Sequence, residues 1–199
     1  LAVVSGNVAS TGAARLASRA GLRAGAGLVT LLSPPDAVAV NASHLTAVMP
    51  KEVSDAEQLR ESIESASTVI LGPAAGITTG TKKNVECLLS SKSKAVLDAD
   101  ALTVFADDKD GFYRQLRSDD LITPHIGEFN RLFGDLLDSE VNKVEATRKA
   151  SRMTGCVVLL KGPDTVIAKP DGMAIVNTHA THWLATAGSG DVLAGIAGG

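Results

Sequence analysis

The sequence predicts an α/β layered fold, a mostly parallel central sheet flanked by helices with a short antiparallel patch late in the chain. Three observations lead there. Short apolar runs rich in Val, Ile and Leu alternate with amphipathic segments, the pattern of strands joined by helical crossovers. After residue 155 that alternation gives way to three short runs separated only by Gly and Pro turns. The chain has 199 residues, 45% of them hydrophobic and 21% charged, which suffices for one sizeable domain and does not require two. No repeat, low-complexity segment or linker divides it, so a single domain over 1–199 is expected.

The elements follow in order. "LAVVS" reads as a buried strand ending at Ser5 and Gly6. Thr11 is positioned to cap a helix running to about Gly25, with Ala14, Leu16, Ala17, Ala20 and Leu22 on its apolar face. "GLVTLL" is the next strand, and Pro34, Pro35 and Asp36 open a short helix. "LTAVM" (45–49) is a third strand candidate. "DAEQLRESIESA" is helical, "TVILGP" is a strand running into a turn, and "TTGTKKNVECLLSS" is helical again. "KAVLDADAL" is a hydrophobic strand that finishes in acids, and "DDLITPH" is another strand end before the helix of "GEFNRLF". "SEVNKVEATRKASRMTG" is amphipathic and stops at Gly155. "CVVLLKG", "DTVIAKP" and "GMAIVN" are the late strands, with Lys169 to Gly172 as the hairpin turn between the last two.

The charge balance argues against some partners. Nineteen basic against 22 acidic residues give a net charge of −3, and no basic stripe stands out, which disfavours nucleic acid and anionic membrane. No apolar run approaches the roughly 18 residues of a membrane span. Cys87 and Cys156 lie in apolar helix and strand patterns without metal-ligand spacing and read as buried free thiols. That usage suits a cytoplasmic location. Leu1 opens on a strand and Gly199 falls inside an apparent helix, so a chain truncated at both ends is expected.

Ligands of open α/β sheets bind beyond the carboxyl ends of the strands. Gly72, Asp98, Asp100, His125, Lys161 and Asn177 all fall at or just after predicted strand ends. "GITTGTKK" resembles a Walker loop but has Thr81 where the second glycine belongs, and "GSGDVL" has Leu193 where a dinucleotide fingerprint needs its third glycine. "TAGSGDVLAG" offers something else. Gly188, Ser189 and Gly190 can turn successive N–H groups toward an anion at a helix N-terminus, and Asp191 stands beside them in the first turn. A carboxylate next to a bound phosphate repels it, so its presence points to a general base that deprotonates an attacking hydroxyl; the alternative is a plain capping residue. In "LLKGPDT", Lys161, Gly162, Pro163, Asp164 and Thr165 form a second candidate cradle for nucleotide phosphate and sugar, or an ordinary hairpin turn. His125 is placed to hydrogen-bond a ligand. Glu128 is either a first-turn acid favoured by the helix dipole or the holder of a Mg²⁺-bound water. His179 and His182 lack a third ligand, and their segment, with Trp183, reads as a lid.

Taken together, "STGAARLASRAGLRAGAGLVT", "VLDADAL", "TPHIGEF", "LLKGPDT" and "LATAGSGDVLAGI", in that order, resemble the ADP- or ATP-dependent NAD(P)H-hydrate dehydratases of the ribokinase-like superfamily. The resemblance covers nearly the whole chain. It implies a ribokinase-like layered fold and a metabolite-repair reaction on hydrated NADH or NADPH. In that reaction Asp191 activates the ring hydroxyl, which takes a phosphoryl group from ADP or ATP with Mg²⁺ while the Gly188 to Gly190 cradle stabilises the transferring charge, and phosphate elimination restores the dinucleotide. It further implies nucleotide binding by Lys161 to Thr165 and Gly190, and substrate contacts from Ala13, Gly72, Gly76, His125 and Asp191. Bacterial members of the family generally use ADP, the donor expected here. A homo-oligomer and a preceding epimerase domain are also implied. Two departures stand out: Ala74 replaces a glycine common in the family, and "HATHW" stands where many members carry a "TGNPG"-like stretch. Two other readings fit Asp191 and its cradle: a small-molecule kinase of the same superfamily, acting on a vitamin precursor or sugar, and a nucleotide-binding domain without catalysis.

Overall fold

A computed structural model describes residues 1–199. Its strands are β1 (Ala2–Val4), β2 (Thr30–Ser33), β3 (Met49–Glu52), β4 (Thr68–Leu71), β5 (Lys94–Leu97), β6 (Leu121–Ile122), β7 (Val157–Leu160), β8 (Thr165–Ala168) and β9 (Ala174–Asn177). They form one sheet in the order β3-β2-β1-β4-β5-β6-β7-β8-β9. Pairing is parallel from β3 through β7 and antiparallel for β7–β8 and β8–β9. The helices are α1 (Thr11–Ala24), α2 (Val38–Ser43), α3 (Ala56–Ile63), α4 (Thr79–Leu89), α5 (Asp100–Thr103), α6 (Lys109–Tyr113), α7 (Ile126–Phe133), α8 (Leu136–Ser139), α9 (Lys143–Thr154) and α10 (Ser189–Gly198).

The alternation of strand side chains builds two cores. Ala2, Val4, Val69, Leu71, Ala95 and Leu97 point into the larger, with Leu59, Leu88, Phe105, Phe129 and Ala150 from the helices of that face. Val3, Ile70 and Val96 point the other way, against Ala14, Ala17 and Ala194 of α1 and α10. Small residues let those two helices approach closely: a Cβ built on Gly195 would lie 2.3 Å from the Ala17 carbonyl oxygen. The same strand register aligns the carboxyl ends, with Leu71 opposite Leu97 and Leu97 opposite Ile122. Residues 72, 98 and 123 onward therefore emerge side by side along one edge.

Several expected boundaries move. The third strand lies at Met49–Glu52, not 45–49. Val48 is buried and carries the hydrophobic signal, but the ladder begins where the Met49 N–H reaches the Val29 carbonyl. β3 is an edge strand with all four residues exposed, a position that tolerates Pro50. Pro34 to Ala37 make a turn, and α2 starts only at Val38. Thr11 is the first residue of α1, preceded by a 3₁₀ turn at Val8–Ser10 that Asn7 caps. Gly155 ends α9 in the left-handed conformation, and the Lys169–Gly172 turn joins β8 to β9, both as expected. Both cysteines are buried and free. No helix is long and apolar enough to cross a membrane.

Candidate active site

The site grows from three strand ends and one helix N-terminus. Asp98 follows β5 and is 2% exposed. Its backbone is pinned on both sides. The N–H donates to the Leu71 carbonyl, and its own carbonyl lies against Gly72, where a Cβ would fall only 1.8 Å away. Gly72 at φ 127° is the residue that permits this approach. The next residue, Ala99, holds φ 49°, a strained conformation for a side chain with a Cβ. Lys161 follows β7 and is set in register by its N–H to the Pro124 carbonyl at 2.9 Å. Across 63 residues of sequence its ammonium donates to Asp98 Oδ1 at 2.6 Å.

α10 supplies the fourth part. Gly188 takes the N-cap with φ 88°, a left-handed turn that favours glycine. Ser189 Oγ donates back to the Thr186 carbonyl and fixes the bend. The first-turn N–H groups of a helix lack intrahelical acceptors and face outward with the positive end of the dipole. Gly190 brings that end beside the ion pair: a Cβ there would sit 3.7 Å from Lys161 Nζ and 3.9 Å from Asp98 Oδ2. Asp191 is half-buried. Burial pushes its carboxyl above the usual carboxylate range, the Asp98 charge adds to this, and Lys161 opposes it. A carboxylate raised in this way is a stronger base than an exposed one.

Around this centre the other expected residues take particular positions. Thr165 Oγ1 donates to the Gly162 carbonyl at 2.9 Å, and Lys143 from α9 donates to both the carbonyl and the carboxylate of Asp164, each at 2.8 Å. That hydrogen bond holds the Asp164 carboxyl below its usual range. Pro163 and Asp164 are exposed. The 161–165 turn is thus ordered from beneath by Lys143, a residue that sequence reading gave no role. His125 is the N-cap of α7: Nδ1 accepts from the N–H groups of Gly127 and Glu128, which leaves the proton on Nε2, 3.3 Å from Glu128 Oε1. Glu128 Oε2 in turn accepts from the His125 N–H at 2.8 Å, completing a capping box, and stands 3.9 Å from Lys161.

This geometry gives Glu128 the first of its two expected roles. Both its oxygens are engaged with His125, and no three His, Cys, Asp or Glu side chains converge as a cation site. The capping box accounts for Glu128 as a first-turn acid, and its carboxylate is not part of a direct cation site. Gly76 donates its N–H to Asp100 at 2.8 Å, and Ala74 sits at φ 53°, the conformation in which the family's glycine is unstrained. Trp183 lies in an exposed 3₁₀ turn, His182–Leu184, its ring against that of His182. Ala13 is half-buried near the start of α1. A cavity of about 460 Å³ opens at the ends of β1 and β2, lined by Ser5, Asn7, Ser54, Ala75 and Thr78. None of Asp191, Lys161 and His125 lines it.

Sheet order, helices on both faces and a glycine-cradled aspartate at a helix N-terminus define a ribokinase-like fold. The chain superposes on a ribokinase-like superfamily protein from Enterococcus faecalis with a TM-score of 0.86 at 23% identity, covering 99% of this chain and 69% of that one. It belongs to the NAD(P)H-hydrate dehydratase family, whose profile matches residues 1–199. It is 36% identical, over 98% of its length, to the bifunctional NAD(P)H-hydrate repair enzyme Nnr of Moorella thermoacetica, and spans 39% of that protein. It is also similar to the ADP/ATP-dependent NAD(P)H-hydrate dehydratase of Bacillus subtilis, co-crystallised with ATP and Mg²⁺, with a TM-score of 0.78 at 25% identity over 98% of this chain and 69% of that one.

Proposed function

We propose that this chain dehydrates hydrated NADH and NADPH at the expense of a nucleotide, with Asp191 as the base. The observation that carries the proposal is the half-buried Asp191 carboxyl in the first turn of α10, beside the Gly188–Gly190 cradle and the Lys161 ammonium. Asp191 takes the proton of the ring hydroxyl as its oxygen bonds to the terminal phosphorus of the nucleotide, and the shortened nucleotide leaves with the bridging oxygen. Charge growing on the transferring group is met by the α10 N–H groups and Lys161. Phosphate, a far better leaving group than hydroxide, then departs with the C–O electron pair. The neighbouring ring carbon gives up a proton, and the ring double bond returns.

The Bacillus subtilis relative supports nucleotide and Mg²⁺ as requirements. In this reading Mg²⁺ would enter with the nucleotide. His125, Gly72, Gly76 and Ala13 line the approach of the hydrated dinucleotide in this reading, and Lys161 to Thr165 hold the nucleotide. The test is a near-ultraviolet absorbance assay with hydrated NADH, Mg²⁺ and either ADP or ATP. A nucleotide-dependent rise is expected, faster with ADP. Asp191→Asn should lower turnover by about 10²- to 10⁴-fold while nucleotide still binds. Unchanged turnover in that variant would remove Asp191 from the reaction, and nucleotide binding without dehydration would favour a kinase for another hydroxyl.

A further inference from the structure

We infer that Asp98 is a positioning residue for phosphoryl transfer, acting through Lys161; the inference rests on the reaction proposed above. The sequence places Asp98 at a strand end but gives it no role, and the fold fixes it on both sides. Its carbonyl is locked under Gly72, its N–H is held by β4, and the strained Ala99 follows it. Strain of this kind persists only where the surroundings enforce it. The two carboxylate oxygens have different tasks. Oδ1 receives the Lys161 ammonium at 2.6 Å, and Oδ2 faces Gly190 at the head of the cradle. Glu128 at 3.9 Å is the only other acid within 4 Å of the Lys161 ammonium, and it is engaged by His125. Without Asp98 the four-carbon stem of Lys161 would have no single anchor point.

This arrangement has a consequence that ordinary structural support lacks. Asp98 and Asp191 both bear on an anion in the cradle, and Lys161 alone offsets them. An incoming phosphate must share Lys161 with Asp98, so Asp98 weakens ground-state binding of the nucleotide. It also holds the ammonium where charge develops on the transferring group, and so favours the transition state. Removal of the Asp98 charge should therefore move affinity and turnover in opposite directions.

The experiment uses the isosteric Asp98→Asn, Lys161→Met and their double variant, with Mg²⁺–ADP binding by calorimetry and turnover of hydrated NADH. Folding of each is checked by thermal melts. For Asp98→Asn we expect ADP to bind about three- to tenfold more tightly, as one nearby negative charge is lost. Turnover should fall by about 10²-fold, the scale of a catalytic group misplaced by roughly 1 Å. In the Lys161→Met background the same Asp98→Asn change should add little to the turnover defect, because the residue it positions is gone. Weaker ADP binding in Asp98→Asn, or full additivity of the turnover losses, would overturn the inference. A wild-type chain that binds ADP but leaves hydrated NADH unchanged would overturn the proposed reaction alone, since the binding arm still reports on Asp98. A wild-type chain that binds no ADP would overturn both.

Discussion

Asp191 shows how local and distant residues share the tuning of one group. Its carboxyl is raised first by burial and then by Asp98, against the pull of Lys161. Two pH effects follow with opposite bearing on the molecule. Activity needs the ionised form, so kcat/KM should decline as pH falls through a pKa above the ordinary carboxylate range. Stability runs the other way: a carboxyl whose folded pKa exceeds its unfolded pKa stabilises the fold below the unfolded value, and that contribution is lost as pH rises through the folded value. Asp191→Asn should therefore raise Tm at pH 7, and the gain should shrink as the medium is taken toward pH 4 and the wild-type carboxyl gains its proton. Equal Tm differences at both pH values would mean that the charge is not what the fold resists. At this scale Asp191 and its glycines were legible because they are neighbours in sequence. The Lys161–Asp98 pair, 63 residues apart, was visible only as an acid and a base each ending a strand. Glu128 was ambiguous because a first-turn acid and a metal-water holder occupy the same sequence position; its two contacts with His125 show the capping role.

Among the elements, the contact between α1 and α10 sets where the base stands. Ala14, Ala17 and Gly21 of α1 are buried against α10. A Cβ on Gly195 would meet the Ala17 carbonyl at 2.3 Å and the Ala20 Cβ at 2.7 Å. In an isolated helix Gly→Ala gains up to about 1 kcal/mol of propensity. Here overpacking against rigid backbone costs about 1–3 kcal/mol and wins. Gly195→Ala should lower Tm and also turnover, because α10 carries Asp191 and must shift. Gly12→Ala is the matched control: nothing lies within 4 Å of its built Cβ, so it should stabilise by about 0.5–1 kcal/mol with turnover unchanged. Denaturant melts of both variants test the pair, and a stabilised Gly195→Ala would show that the helices can part freely. The glycines of "TAGSGDVLAG" read as an anion cradle, and nothing in the sequence pattern gave Gly195 a part in helix packing. Element identity was clearer than element position. β3 was misplaced because burial of Val48 and hydrogen bonding of Met49 diverge at an exposed edge.

Across the whole molecule the two edges of the sheet divide the work. Alternating strands and helices foretold a layered, mostly parallel sheet, but the strand order is set by contacts between distant segments that no local pattern encodes. That order sends the loops after β4, β5, β6 and β7 to one edge, where Gly72, Asp98, His125 and Lys161 meet. At the opposite edge Asp120, fully buried, ties three strands together. Its Oδ1 accepts from the Ala95 N–H at 2.9 Å and from the Arg117 guanidinium at 2.8 Å. Its Oδ2 accepts from the Arg117 backbone N–H at 2.9 Å, and its carbonyl accepts from the Val157 N–H at 2.9 Å. Arg117 also donates to the Ser93 carbonyl at 2.6 Å. Asp120→Ala strips the partner from a half-buried cation and from a buried β5 N–H, a change that costs up to about 3–5 kcal/mol, the range for a broken buried pair. At about 2–4 °C per kcal/mol for a chain of this size, Tm should fall by about 6–20 °C. If the edges are separate in function, Asp120→Ala measured well below its Tm should keep the wild-type kcat and ADP affinity. Loss of kcat in the folded variant would mean instead that strain at the amino-terminal edge travels along β5 to Asp98, and that the site is held by the whole strand rather than by its last residue.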